Sequence, residues 1–230
     1  MQDFAQSFFP LGKNLLAQAD NDIKTDTALS WIIKAADNNE QDAQYALSQI
    51  YLKGDGVTVD IERSENLLKA AADNGLAEAQ FEYARREIEK GSDSSVIAPF
   101  MVAAAEQGFV SAFLQAAQFL RDGEGVENDL SRTAFFFKQA ADNGDAHAQL
   151  ETARNFDNGF GMPKDREEAV RYYQLSAAQG LIEAEMKLAE AFNQGDGIKA
   201  DFKQAFVYYM RAAKKGNVDA AYNLGMMLQA

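Results

Sequence analysis

Few residues of this chain are of a type that could carry out chemistry. It has no cysteine and a single histidine, His147. Without cysteine there is no disulfide, no thiolate ligand for a metal and no cysteine nucleophile. A histidine that acts as a general base needs a nucleophile or an orienting carboxylate held beside it. Asp142 and Asp145 are near His147 in the sequence but follow no catalytic spacing, so we expect a surface histidine and no enzyme.

Two other patterns resemble ligand-binding loops. The three residues Asp20-Asn21-Asp22 begin like a calcium loop, but the glycine and the glutamate that complete such a loop are missing. Gly-x-Gly sequences could cradle a phosphate, yet they recur along the chain and lack the Lys-Ser/Thr that follows a phosphate loop. These sequences are Gly54-Gly56, Gly123-Gly125, Gly159-Gly161 and Gly195-Gly197. We therefore interpret them as turns and expect neither a metal nor a cofactor.

The charge of the chain restricts its partners. Lys and Arg number 22 and Asp and Glu 35, which gives a formal net charge of −13. Such a field repels DNA and anionic lipid, so we expect no nucleic acid as partner. No apolar run is long enough to span a bilayer, so we also expect no direct membrane insertion. The charge favours another protein or peptide with a basic surface.

An internal repeat positions all of these residues. Two small residues, two variable ones and then a glycine recur along the chain, and we call the last position the marker residue. The marker residues are Asn39, Gly75, Gly108, Gly144, Gly180 and Gly216, at steps of 36, 33, 36, 36 and 36 residues. Four residues after every marker stands an alanine, and eight residues before it stands a large apolar residue, from Trp31 to Tyr208.

Each repeat predicts two helices. The segment from about Glu62 to Asn74 has apolar and small residues at helical spacing, and a second helix runs from Leu76 to about Lys90. Gly75 stands where a helix end needs a left-handed residue, and asparagine is the best substitute for glycine there. Neither helix buries its apolar face alone, so repeats must stack. The predicted fold class is all-α, a right-handed α–α superhelix (solenoid) of about six helix-turn-helix repeats of period 36.

The repeat resembles the SEL-1-like repeat family, a relative of the tetratricopeptide repeats. The family pattern is visible in Gly195-Asp196-Gly197-Ile198 and Asp201, and continues in Ala205, Tyr208-Tyr209, Ala212-Ala213 and Gly216. The resemblance covers residues 27–230, and we predict that residues 1–26 form an N-terminal capping segment. Some bacterial members carry paired cysteines in each repeat, which this chain lacks.

The resemblance implies a non-catalytic protein–protein interaction module, an adaptor or scaffold of bacterial type that binds a protein or peptide in a concave groove. Two alternatives stay open. One is an inhibitor or immunity-type protein that neutralises a toxin or an enzyme. The other is an accessory subunit of an enzyme, with no active site of its own.

The positions seven and ten residues after each marker are not needed for packing between helices, and they share one helix face. The partner-binding residues predicted there are Glu82, Arg85, Gln115, Gln118, Glu151, Arg154, Lys187 and Glu190. An ordinary solvated face is the alternative interpretation. Phe113 is added as an anchor, because its column otherwise holds glutamine or glutamate and an exposed aromatic there would suit a partner.

The chain ends leave two further predictions. If Met1 is the native start, the protein is cytoplasmic; if a signal peptide was removed, it is periplasmic or associated with the envelope. The apolar residues Met226, Met227 and Leu228 make self-association through the C-terminal end a further expectation.

Overall fold

The structure, a computed structural model, describes residues 8–17 and 22–229. Every regular element within these ranges is a helix, so the predicted all-α solenoid class is confirmed. The α-helices are α1 (Phe8–Ala17), α2 (Asp22–Asp37), α3 (Gln41–Lys53), α4 (Ile61–Asp73), α5 (Ala77–Lys90), α6 (Ser94–Glu106), α7 (Phe113–Asp122), α8 (Leu130–Asp142), α9 (Ala146–Asn158), α10 (Arg166–Ala178), α11 (Ile182–Gln194), α12 (Phe202–Lys214) and α13 (Val218–Met227). A short 3-10 helix, Val110–Ala112, precedes α7.

Aspartate side chains cap the N-termini of the helices that precede the markers. In each case a carboxylate oxygen accepts a hydrogen bond from a backbone N–H of the first turn, which would otherwise lack a partner. The capping residues are Asp60 on α4, Asp93 on α6, Asp129 on α8, Asp165 on α10 and Asp201 on α12. The acidic residue of the repeat pattern is thus a helix cap.

The marker residues end these helices in the left-handed conformation, as predicted. Gly75 has φ +94°, and Asn39 is the only non-glycine residue with positive φ among the described residues, at +62°. The N–H of Gly75 donates to the carbonyl of Ala72 at 3.0 Å, and the N–H of Leu76 donates to that of Ala71 at 3.1 Å. These bonds satisfy carbonyls that a helix end leaves free.

The alanine four residues after each marker lies in the helix contact. Ala43, Ala79, Ala112, Ala148, Ala184 and Ala220 are each 0% exposed. A longer side chain at any of them would separate two packed helices, which costs about 1–3 kcal/mol. The repeated alanine is therefore a requirement of packing.

The chain divides into two compact units, residues 1–112 and residues 113–230. In the first unit, α1 packs on α2: Phe9 contacts the core around Ile32 and Leu47. A Cβ on Gly12 would lie 2.8 Å from Cγ1 of Ile32, so the two helices approach closely there. α2 crosses residue 26, and the predicted division between residues 1–26 and 27–230 stays a prediction; residues 1–7 and 18–21 lie outside the described residues.

Stacked aromatic rings join consecutive repeats of the second unit. In this unit the aromatic residue eight positions before each marker stacks on a ring of the preceding helix, with ring centroids 5.8–6.0 Å apart. The pairs are Phe113–Phe136, Phe156–Tyr172 and Phe192–Tyr208. Of the three consecutive phenylalanines on α8, Phe136 and Phe137 are buried and Phe135 is 54% exposed, because three neighbours on a helix cannot face one core.

Candidate functional site

The residues predicted to bind a partner lie on α5, α7, α9 and α11, the helices that follow four of the markers. On three of these helices the two residues form an ion pair. The pairs are Glu82–Arg85 at 2.9 Å, Glu151–Arg154 at 2.6 Å and Lys187–Glu190 at 2.9 Å. On α7, Gln118 is exposed, whereas Gln115 is half-buried and its buried Oε1 has no hydrogen-bond partner among the described residues.

The prediction that Phe113 is an exposed anchor is wrong. Its side chain is 4% exposed, and its ring stacks on Phe136 with centroids 6.0 Å apart. The column of Phe113 faces the inside of the repeat stack, and the polar residues in it are buried as well. Glutamine in most repeats suggested a solvent position, but an amide can be buried when its hydrogen bonds are satisfied.

The sequence interpretation missed a ladder of polar pairs, in each of which a buried residue of this column bonds to an exposed residue. In each unit the residue five positions after a marker bonds to the residue that precedes the next marker. The pairs are Gln44–Asn74 at 2.8 Å, Gln80–Gln107 at 2.8 Å, Gln149–Gln179 at 2.9 Å and Glu185–Lys215 at 3.0 Å. The sequence did hold a signal of this pairing, because both positions change together from one repeat to the next. Gln149 and Gln179 are two amides, whereas Glu185 and Lys215 are a carboxylate and an ammonium.

An apolar recess of about 370 Å³ lies between α8 and the end of α9. We call it the Phe160 niche, lined by Leu130, Thr133, Phe137, Asn155 and Phe160. Phe160 is 56% exposed and Leu130 is 53% exposed. Phe160 is the middle residue of a Gly-x-Gly turn, where other turns carry an acidic residue, so its aromatic type was a signal that the sequence interpretation did not use.

Two polar residues with unpartnered atoms, Thr133 and Asn155, also line the Phe160 niche. Oγ1 of Thr133 and Nδ2 of Asn155 are buried and lack a hydrogen-bond partner among the described residues. The niche is further lined by Arg121, whose guanidinium lies 5.7 Å from the Phe137 ring centroid, and by the predicted pair Glu151 and Arg154. Arg154 also contacts Glu183 on α11. The predicted residues of α9 therefore border an apolar recess.

The equivalent recess one repeat later is charged, and we call it the Tyr173 niche. It measures about 160 Å³ and is lined by Tyr173, the predicted pair Lys187 and Glu190, and the charged residues Asp157, Arg166 and Asp196. Arg166 contacts Asp157 and lies 3.2 Å from Asp196. Burial raises the pKa of Tyr173, so its hydroxyl stays protonated at neutral pH. Carboxylates outnumber cations in this niche.

The first unit has a recess in the corresponding columns, of about 330 Å³, between α4 and α5. It is lined by Ile61 and by alternating charges that include Glu82, Arg85 and Arg86. Hydrogen bonds from Arg85 lower the pKa of Glu82 against the effect of burial. This carboxylate therefore stays ionised, and the pair of Glu82 and Arg85 is a polar wall of the recess.

His147 is exposed at the start of α9, as expected. Nowhere in residues 8–17 and 22–229 do three His, Cys, Asp or Glu side chains come together as metal ligands would. Within the same ranges, each helix is too short or too polar to cross a membrane.

Solved structures with similar folds include two bacterial proteins. A protective antigen present in uropathogenic Escherichia coli strains, which displays an SLR fold, superposes with a TM-score of 0.62 at 24% identity, over 98% of this chain and 49% of that one. This chain thus spans about half the length of that protein. A Sel1 repeat protein from Oxalobacter formigenes gives a TM-score of 0.57 at 27% identity, over 94% of this chain and 86% of that one.

No protein with a curated description matches the chain in sequence. The family model of the Sel1 repeat matches residues 21–40, 41–76, 114–145, 146–181, 182–217 and 218–230. These segments make up more than half of the chain, and the resemblance seen in the sequence is confirmed. The chain therefore belongs to the Sel1 repeat family.

Proposed function

We propose that this protein is a non-catalytic protein–protein interaction module of the adaptor or scaffold type. Sel1 repeat proteins typically bind other proteins, and this chain belongs to that family. The observation that carries the proposal is the recurrence of one recess in both units, with the Glu82, Glu151 and Lys187 pairs among its lining residues.

The recesses suit an extended or helical partner segment. They combine exposed apolar side chains, such as Leu130 and Phe160, with fixed ion pairs at regular intervals along the repeats. Apolar anchors surrounded by oriented charges are the usual composition of a binding surface that recognises a protein. A partner bound to the second unit would contact side chains of α9 and α11, and a partner bound to the first unit would contact side chains of α5.

The test is affinity capture from cells of the organism that makes the protein. The full chain is compared with the variant Arg154→Ala/Lys187→Ala, and captured proteins are identified by mass spectrometry. Each is then purified, and its binding is remeasured with pure components. We expect a partner that the double variant binds about tenfold or more weakly, because Arg154 and Lys187 hold the recess carboxylates Glu151 and Glu190 in place by ion pairs.

The matched control is Lys138→Ala/Arg171→Ala, which removes two basic residues of the same unit outside the recesses. A partner bound equally by the full chain and both variants would contradict the proposed surface. A partner enzyme whose activity falls on binding would identify the inhibitor form of the function.

A further inference from the structure

We propose that the Phe160 niche binds a large apolar side chain that lies between basic residues in a partner polypeptide. This inference rests on the proposed function and adds the chemistry of the partner. It is carried by three properties of the niche, which are its exposed apolar walls, its unpartnered polar atoms and the charge around it.

The apolar walls have no structural need to be exposed. Phe160 is the middle residue of a Gly-x-Gly turn, and the same position is Asp55, Glu124 or Asp196 in the other turns. The turn therefore forms with an acidic residue, and its backbone does not require an aromatic ring. Phe160 and Leu130 each expose more than half of the side chain beside the buried Phe137. Exposed aromatic residues next to a recess are typical of binding surfaces.

The polar atoms call for an occupant that can hydrogen-bond. Thr133 is 4% exposed, and neither its Oγ1 nor Nδ2 of Asn155 has a partner among the described residues. Buried polar groups normally have one, and leaving them without it is costly. Nδ2 of Asn155 is a donor, which a main-chain carbonyl of a bound polypeptide would satisfy. A simple hydrocarbon could fill the apolar part but could not satisfy these atoms.

The size of the niche agrees with an amino-acid side chain plus adjacent main chain. Its volume is about 370 Å³, at the lower end of the pockets that hold drug-sized ligands. The walls that face the interior are Phe137 and Thr133 of α8 and Asn155 of α9, so the site is built on two helices. Helices hold binding residues more precisely than loops do.

The charge favours basic residues next to the apolar one. The chain carries a formal net charge of −13. Both arginines that line the Phe160 niche are paired with carboxylates, Arg121 with Asp122 and Arg154 with Glu151 and Glu183. In the Tyr173 niche, one repeat further along the same unit, Asp157, Glu190 and Asp196 outnumber Arg166 and Lys187. An approaching segment with lysine or arginine is attracted by this field, whereas an acidic segment is repelled.

The experiment uses defined peptides and the full chain. Fluorescein-labelled nonapeptides carry Phe, Leu or Ser in the centre, Lys or Glu at both flanks, and Gly-Ser spacers elsewhere. Binding is measured by fluorescence anisotropy. We expect the peptides with Phe or Leu and Lys flanks to bind about tenfold more tightly than the Ser peptide and the Glu-flanked peptides.

Two substitutions of exposed phenylalanines locate the site. Phe160→Asp is expected to weaken the binding of the Phe peptide about tenfold. Phe135→Glu changes a ring that is 54% exposed outside the niche, and it is expected to leave the binding unchanged. Asp55 and Asp196 show that the turn accommodates aspartate, so Phe160→Asp should keep the circular dichroism spectrum and the unfolding midpoint. Thr133→Val is expected to weaken binding without lowering stability, because the hydroxyl has no bond to lose.

Several results would overturn the inference: no saturable binding of any peptide, a preference for Glu flanks, or equal weakening by Phe160→Asp and Phe135→Glu. The proposed function can fail or stand separately. A captured partner that is lost with Arg154→Ala/Lys187→Ala but kept with Phe160→Asp supports the interaction module and rejects the apolar anchor. Absence of any captured partner rejects the module itself.

Discussion

At the scale of single residues, the polar ladder shows that the two partners of a pair change together. Gln149 and Gln179 meet as two amides, and Gln179 also donates to the carbonyl of Gly144. One repeat later the same positions are Glu185 and Lys215, and Lys215 likewise donates to the carbonyl of Gly180. The geometry is kept while the chemistry changes from amides to an ion pair. Each pair must be changed as a unit, because a buried carboxylate without its cation is costly.

We expect Lys215→Ala to lower the free energy of unfolding by about 1–3 kcal/mol. The value belongs to the lower part of this range, because the Lys215 side chain is 38% exposed and its charge is screened by solvent. The double variant Glu185→Gln/Lys215→Gln, which copies the pair of the preceding repeat, should recover most of the loss. Urea unfolding followed by circular dichroism measures all three. Equal effects of Lys215→Ala and Lys214→Ala, the exposed neighbour, would contradict the role of the ladder.

At the scale of elements, the second glycine of a Gly-x-Gly turn sets how closely a loop lies on an earlier helix. A Cβ built on Gly161, after α9, would stand 1.9 Å from the carbonyl oxygen of Leu130 in the first turn of α8. Gly197, after α11, would meet the carbonyl oxygen of Arg166 in the same way at 2.3 Å. The glycines that end turns in sequence are therefore also contacts between successive repeats.

We expect Gly161→Ala to destabilise the protein far more than Gly144→Ala. Both glycines have positive φ, which costs an alanine about 1–2 kcal/mol. A Cβ on Gly144 meets nothing within 4 Å, whereas at Gly161 the α8 backbone must move. The loss at Gly161 should therefore exceed about 3 kcal/mol, in the class of severe packing defects. Thermal unfolding of the two variants is the measurement, and similar midpoints would refute the close approach.

At the scale of the whole molecule, the last helix carries apolar side chains that inner repeats bury. Tyr222 and Met226 of α13 are 68% and 51% exposed, and Leu228, which directly follows α13, is 71% exposed. Leu120, which holds the position of Leu228 in the first repeat of the same unit, is 0% exposed. Self-association through this end stays a prediction, and an exposed apolar group of this kind is its physical basis.

We expect the sedimentation coefficient to rise with protein concentration and Leu228→Asp to abolish the rise. A charge placed in an apolar contact between two copies would have to be buried without a partner. Leu175→Asp, at an exposed leucine on α10, is the matched control and should behave like the unchanged protein. A sedimentation coefficient that is constant over the whole concentration range would reject self-association.

The sequence by itself determined the repeat, its helices and their ends. A left-handed backbone at Gly75 and Asn39 and a small side chain at Ala79 depend on local sterics, so they can be seen in one chain. The tertiary structure alone decided which faces are buried. Helices in a stack have neighbours on more than one side, so a column of mostly polar residues can still be buried. For this reason the polarity of its column wrongly indicated that Phe113 is exposed. For the same reason the Phe160 niche, which joins residues of a turn and two helices, could not be seen from spacing along any one of them.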